Sequence, residues 1–244
     1  MLRPKFPFLA FGYVLLIAMM IVMHGKHYYP ANVYPYLVAA GCVQIEAWTS
    51  RLRMGRTVIA AATIVLWLAF LPLVMPVLPE APLAKYEAQL FSFLHISKES
   101  IAAEHRKLPQ IPSDFAGMHG WTELTSIVSR VYQGLPPTDR AQAVLLVQNY
   151  SEAAAIEFLS DPKLPVISGH NQYFLWGPRG YTGDVLICVG DNCDSAVPYF
   201  RSGTLEAQLE AAWIQPSEFG IPIMLCRGIK KPLAELWPLT KFYN

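Results

Sequence analysis

The stretch "AVLLVQNYSEAAAIEFL", Ala143 to Leu159, decides the fold class of the C-terminal part of the chain. Its first half is a continuous β-branched and leucine run, which is typical of a strand buried on both faces of a parallel sheet. Its second half is rich in alanine and predicts a helix, and the turn Asn149 to Ser151 joins the two. These turn residues also spell a glycosylation sequon. Capping of the helix is the favoured use, because Asn and Ser commonly cap at such turns.

The same pattern of a strand followed by a short helical segment recurs downstream. "LPVISGH" leads into "NQYFLWG", and "DVLICVG" leads into "SAVPYF". "LEAAWIQ" and "IPIMLCRG" are two further candidate strands. Strands that alternate with short helices predict a soluble α/β domain with a largely parallel sheet, which we place at residues 113–244.

Residues 80–112 predict a connecting region. Leu90, Phe91, Leu94 and Ile101 recur at helical spacing, which indicates an amphipathic helix over residues 83–107. The prolines and glycines of "LPQIPSDFAGMHG" indicate a linker after it. "WTELTSIVSRVYQGLP" then predicts a helix with Thr122 as candidate cap and a glycine at its end.

The first 79 residues predict membrane spans. Charged residues make up 15% of the chain, against about 25% in an average soluble domain. No charge occurs from Phe6 to Met23 or from Thr57 to Pro79, and each run is close to the roughly 20 residues that cross a bilayer. Val33 to Ala47 is a weaker candidate, interrupted by a glutamine and a glutamate. We therefore predict about three spans, with a cleaved signal peptide over residues 1–23 as the competing interpretation of the first.

The positive charges set the predicted orientation. Arg3 and Lys5 precede the first span, and the arginines of "RLRMGR" lie between the second and third, so the positive-inside rule places both groups in the cytoplasm. The loop at residues 24–33 and everything after Pro79 then lie outside. This predicts an integral protein of the inner (cytoplasmic) membrane with a periplasmic domain. The net charge of +1 gives no reason to propose nucleic acid as a partner.

Two groups of residues are candidate binding sites. In the loop "GKHYYPANVYP", Lys26, Tyr28 and Tyr29 suit either a membrane-anchoring aromatic belt or a lipid-phosphate site, with a cation and phenolic donors. In the soluble domain, Ser168, His170 and Asn171 follow a strand, where ligand sites of open α/β sheets gather. The alternative for the histidine is a structural role that orders the following helix.

The cysteines predict neither a metal site nor a disulfide framework. Cys188, Cys193 and Cys226 would occupy an oxidising compartment, so one bridge can form with one thiol left over, and the sequence does not choose the pair. No CxxC or HxxxH spacing accompanies them, so we predict no zinc site and no cofactor.

Several segments resemble bacterial membrane glycosyltransferases related to dolichyl-phosphate-mannose protein mannosyltransferases, called family 39. They are "GKHYYPANVYPYLVAAGCVQIE", "QNYSEAAAIEFL", "LPVISGHNQYFLWGPRG", "IPIMLCRG" and "LWP". The resemblance implies a membrane enzyme of GT-C architecture that takes sugar from a polyprenyl-phosphate carrier at the outer face of the membrane. In relatives such as the aminoarabinose transferases, the lysine and tyrosine loop contacts the carrier phosphate, so Lys26, Tyr28 and Tyr29 would hold it here. The implied partners are a polyprenyl-phosphate-linked sugar and membrane lipid.

The chain also differs from the members of this family, in its length and in its catalytic residues. Its members are considerably longer, and their acidic catalytic residues lie in a first outer loop far upstream of these segments, so no general base is assigned here. We expect the chain to be a C-terminal part of such an enzyme, inactive alone and dependent on an N-terminal multi-span fragment. A second hypothesis is a membrane-tethered α/β binding domain that recognises an envelope ligand or partner protein through "SGHNQY". A hydrolase using His170 is a third.

Overall fold

A computed structural model describes residues 7–23, 29–50, 53–97 and 108–243. The chain forms two compact units, Met1–Leu71 and Pro72–Asn244.

The N-terminal unit is helical. It contains α1 (Pro7–Val22), a 3₁₀ helix (Tyr29–Val33), α2 (Tyr34–Trp48) and most of α3 (Arg53–Val74). An exposed ion pair joins Glu46 to Arg56 at 3.7 Å.

Among the described residues, one helix, the 21-residue segment Met54–Val74, is long and apolar enough to cross a membrane. The prediction of about three spans is therefore not supported. With 16 and 15 residues, α1 and α2 are shorter than the roughly 20 residues that a span needs. Pro35 lies in the first turn of α2, where its fixed φ favours a helix start, and the apolar run is divided there.

The C-terminal unit combines helices with one sheet. Its helices are α4 (Glu80–Leu94), α5 (Ser113–Ala116), α6 (Trp121–Gly134), α7 (Pro137–Arg140), α8 (Tyr150–Leu159), α9 (Gln172–Leu175), α10 (Cys193–Ala196) and α11 (Leu233–Leu236). Its strands are β1 (Ala143–Val147), β2 (Val166–Ser168), β3 (Val185–Val189), β4 (Phe200–Gln208) and β5 (Pro222–Ile229). The α/β class predicted from the sequence is confirmed.

The sheet is mixed, which corrects the prediction of a largely parallel one. The strand order is β2-β1-β3-β5-β4. The pairs β1·β2 and β1·β3 are parallel, whereas β3·β5 and β4·β5 are antiparallel. No helix lies between β4 and β5, and a strand connection without a crossover helix favours antiparallel pairing.

One predicted strand is wrong. The segment "LEAAWIQ" lies in the irregular connection between β4 and β5, and the strand precedes it as Phe200–Gln208. Most side chains of β4 are exposed because it is an edge strand, so it lacks the apolar pattern of a buried one. Leu209 and Ile214 are buried instead and anchor the connection. The connection turns at Trp213, which has a positive φ of 63°.

The core occupies both faces of the sheet. On one face, Leu145 and Ile187 pack with residues of α6 and α8, such as Leu124 and Ile156. On the other face, Leu186 and its neighbours pack against Leu233 and Trp237 of the C-terminal segment. This arrangement explains the continuous apolar runs, because β1 and β3 have no face in water.

The sequence predicted the cap of α8 and the glycine at the end of α6, but not the cap of α6. Asn149 caps α8 as predicted: its side chain accepts from the backbone N–H groups of Ser151 and Glu152 at 2.9 Å, and Glu152 completes a capping box. At α6 the cap is Gly120 rather than Thr122. Gly120 has a φ of 88°, and a Cβ there would meet Ile214 at 2.7 Å, so glycine suits the position.

The amphipathic helix predicted over residues 83–107 ends early. It forms as α4 and stops at His95, which has a left-handed φ of 55°. Residues 98–107, including Ile101, lie outside the described residues.

Candidate binding site

A cavity of about 330 Å³ lies at the carboxyl ends of β1 and β3. Ligand sites of open α/β sheets favour this edge. Most of the lining is apolar: Leu146, Val147, Gly169, Leu186, Cys188, Val189, Ala196, Phe200, Ile229, Leu233, Leu236, Leu239 and Phe242. The polar lining residues are Gln148, Asn192, Ser195, Tyr199, Thr240 and Lys241.

The C-terminal segment, defined as residues 232–243, forms one wall of this cavity. Its backbone joins the sheet edge: the Phe242 N–H donates to the Gly169 carbonyl at 3.0 Å, and the Asn171 N–H donates to the Phe242 carbonyl at 2.9 Å. The Trp237 indole N–H donates to the Phe174 carbonyl at 3.0 Å, and the two rings stack with parallel planes. The wall is therefore held by backbone and aromatic contacts.

Gly169 is where this wall approaches the sheet most closely. A Cβ at this position would collide with the carbonyl group of Thr240. Glycine permits the approach because it has no side chain, and this places the C-terminal segment over the strand end.

The three site residues predicted in the C-terminal unit lie beside the cavity rather than in its lining. Ser168 and His170 are buried, at 0% and 1% exposure. The Ser168 hydroxyl oxygen accepts from the His170 backbone N–H at 3.2 Å. Asn171 adopts a φ of 49° and carries the backbone bond to Phe242. Gly169, in the same turn, does line the cavity. The contacts of the flanking Ser168 and His170 side chains fit a structural role.

The His170 ring is enclosed by aromatic neighbours. Its centroid lies 4.9 Å from that of Tyr150 and 4.8 Å from that of Phe242. Nδ1 accepts from the Tyr150 backbone N–H at 3.3 Å, and within the described residues Nε2 has no hydrogen-bond partner. Burial lowers the pKa of His170. A buried, neutral ring held in this way gives no support to a hydrolytic role.

The predicted carrier-phosphate residues are described in part. Tyr29 begins the 3₁₀ helix of the N-terminal unit and is 55% exposed. Lys26 and Tyr28 lie outside the described residues. Their use as a phosphate site stays a prediction.

Lys241 gives the cavity its charge. No Asp or Glu is among the described lining residues, and Lys241 is the charged one. Its Nζ lies 5.6 Å from the centroid of the Phe174 ring and 5.2 Å from that of Tyr243. Ring faces attract cations, so the ammonium group rests over these two rings, which are not among the described lining residues.

The structure settles the cysteine pairing that the sequence leaves open. Cys188 and Cys193 form a disulfide, with their Cα atoms 5.6 Å apart. Cys226 is a buried free thiol, and burial raises its pKa to about 11. Because Cys188 lines the cavity, the bridge fixes α10 to the strand end at its wall.

An acidic pair that the sequence did not single out lies near the same strand ends. Glu152 is buried in the first turn of α8, and its oxygens accept from the backbone N–H and the side-chain amide of Asn149 at 3.1 and 2.9 Å. Burial, followed by the negative charge of Glu218, raises the pKa of Glu152 to about 8. Only the capping signal at Asn149 and Glu152 was available in the sequence, since Glu218 comes from a distant loop.

Within the described ranges, no three His, Cys, Asp or Glu side chains are arranged to hold a metal ion. Comparisons of the chain with protein-family models, curated proteins and solved structures found no match.

Proposed function

We propose that the C-terminal unit is a binding domain that takes a small, mostly apolar molecule in the cavity at the carboxyl ends of β1 and β3. One observation carries this proposal: a cavity of about 330 Å³ with a mostly apolar lining lies at that edge. Small-molecule sites are typically concave and apolar, with a few polar groups that orient the ligand.

The lining favours an apolar body in the ligand. Leu146, Leu186 and Leu233 contribute side chains that gain contacts when the space is filled, and they offer no hydrogen bonds to water. A solute such as 1-octanol should therefore enter.

The test is a calorimetric titration of 1-octanol into the full chain in nanodiscs of zwitterionic lipid, with empty nanodiscs subtracted. Ser195 is exposed and lines the cavity, so Ser195→Trp should fill the cavity and abolish saturable binding. Ser202 is exposed on β4 and lies outside the lining, so Ser202→Trp is the matched control and should bind normally. Binding that is equal in both variants, or absent from the wild type, contradicts the proposal.

A second proposal concerns the whole chain. We propose that it supplies the carrier-phosphate loop and the C-terminal domain of a polyprenyl-phosphate-sugar-dependent glycosyltransferase. Its support is the family 39 resemblance together with one helix, Met54–Val74, that meets the length and composition of a membrane span. In this proposal, Lys26 provides charge and Tyr28 and Tyr29 donate hydrogen bonds to the carrier phosphate.

This second proposal is tested by binding of a polyprenyl phosphate to the full chain in nanodiscs. Lys26→Ala should weaken binding, whereas Lys231→Ala, at an exposed lysine of the C-terminal unit, should not. Equal affinity of the two variants would favour membrane anchoring, rather than phosphate binding, as the role of the loop. Sugar transfer by the purified chain alone would contradict the expectation that it needs a partner fragment.

A further inference from the structure

We infer that the ligand of the cavity is a short amphiphilic anion, with its apolar body in the cavity and its negative head group at Lys241. The inference rests on the proposed binding function and deepens it by naming the ligand class. Three features carry it: the charge at the cavity, the hydrogen-bond donors in its lining and its volume.

The charge at the cavity is positive. Lys241 is exposed, and in the described part of the chain its ammonium group contacts two aromatic rings rather than a carboxylate. Asp191 precedes α10 and Asp194 lies in it, and both are exposed, but neither lines the cavity. A ligand with one negative charge therefore meets a cation without a competing acid in the lining, whereas a cationic ligand would be repelled.

The polar lining contains hydrogen-bond donors that an anionic head group can use. The Gln148 side-chain oxygen already accepts from the Asp191 backbone N–H at 2.7 Å, which leaves its amide N–H groups. The Thr240 hydroxyl is not such a donor, because its proton goes to the Trp237 carbonyl at 2.8 Å. The amide of Asn192 and the hydroxyl of Ser195 add further donors. An anionic head group uses donors, and hydrogen bonds to an ionised acceptor are the stronger kind.

The volume limits the apolar body. A volume of about 330 Å³ is near the lower end of the range for small-molecule sites, which is about 300 to 1,000 Å³. An alkyl chain of octyl length or a single aromatic ring system fits this space. The tail of a polyprenyl carrier is far longer, so the cavity selects a different class of molecule from the carrier.

The test compares four octyl compounds on the full chain in zwitterionic nanodiscs: octanoate, octyl phosphate, 1-octanol and octylammonium. Calorimetry, with empty nanodiscs subtracted, should give tighter binding for the two anions than for octanol, and the weakest binding for octylammonium. Which anion binds better tells carboxylate from phosphate as the head group. Lys241→Gln should weaken octanoate about fivefold more than octanol, as expected for a partly exposed charge pair. Lys231→Gln is the control and should change neither.

The outcomes separate this inference from the proposed function. If octanol binds in a manner that Ser195→Trp abolishes, but octanoate binds no tighter or Lys241→Gln weakens both equally, the inference is wrong and the binding function stands. If no octyl compound shows binding that Ser195→Trp abolishes, the binding function falls and the inference with it.

Discussion

Glu152 on α8 and Glu218 in the connection between β4 and β5 lie close enough for the negative charge of Glu218 to raise the pKa of Glu152. Burial is the main cause of the raised pKa of each, and Glu152, the more deeply buried, reaches a pKa of about 8. The charge of Asp191 also raises the pKa of Glu218. Because folding buries both carboxyl groups and raises their pKa values, the stability of the fold depends on pH.

We expect the free energy of unfolding to fall as pH rises from about 4.5 to about 8. In the unfolded chain Glu152 has its ordinary pKa of 4.5, and in the folded protein about 8. The folded state therefore holds the proton more tightly than the unfolded chain does. The stabilisation that results is complete below pH 4.5 and lost above pH 8. The change should be about 2 to 4 kcal/mol in urea unfolding of the full chain, followed by circular dichroism.

Glu218→Gln should make this profile shallower, because it removes the negative charge that adds to burial in raising the pKa of Glu152. Exposed Glu210→Gln is the control and should leave the profile as in the wild type. If Glu218→Gln keeps the wild-type dependence of stability on pH, the acidic pair does not cause that dependence.

Gly169→Ala should loosen the C-terminal segment. The added Cβ collides with the Thr240 carbonyl, which belongs to backbone and cannot rotate away. Hydrogen exchange should show faster exchange at residues 232–243, and stability should fall by about 2 kcal/mol or more. Gly134→Ala is the matched control: a Cβ there meets nothing within 4 Å, so we expect a small gain of about 0.5 to 1 kcal/mol from the helical alanine. Normal exchange in Gly169→Ala would contradict the close approach.

Asn149→Ala should destabilise the fold by about 1 kcal/mol through loss of the α8 cap. Its side chain accepts from two backbone N–H groups at the start of the helix. Asn149→Ser keeps an acceptor and should retain most of the stability in the same unfolding measurement. Equal losses in both variants would assign the effect to something other than capping.

The parts of the fold that were predictable from sequence are those with local signals. The runs of β1 and β3 are continuous because both faces are buried, and the Asn149 cap adjoins the helix that it starts. The edge strand β4 gave no such pattern, because most of its residues face water. The mixed sheet depends on where β5 inserts, which is a tertiary property that the order of strands in the chain does not reveal.

The sequence placed its candidate residues at the same edge of the sheet as the cavity, but different residues line the cavity. "SGHNQY" follows a strand end, yet two of its polar side chains are buried and Gly169 is what reaches the cavity. Lys241 and Phe242 come to that edge only through the fold of the C-terminal segment. Glu218 meets Glu152 in the same non-local way. Contacts between distant segments leave no periodicity in the sequence.

His170 should oppose the acidic pair at low pH. Burial lowers its pKa in the folded protein, so below about pH 6.5 the unfolded chain binds protons more readily and the fold loses stability. The Glu218→Gln background separates the two effects. Adding His170→Phe should reduce the loss of stability between pH 6.5 and pH 4.5, while costing about 1 kcal/mol at neutral pH through the unpaired Tyr150 N–H. If stability falls equally between pH 6.5 and pH 4.5 with and without His170→Phe, then His170 does not cause the fall.

The most direct test of the account is methyl NMR of the full chain in nanodiscs with 1-octanol added. The binding function predicts saturable shift changes at Leu146, Val189 and Leu233, which line the cavity, and none at Leu124 and Val128, which are buried beneath the other face. The same shift changes should be absent from Ser195→Trp. Changes at both groups of methyls, or at neither, would contradict a binding site at the carboxyl edge of the sheet.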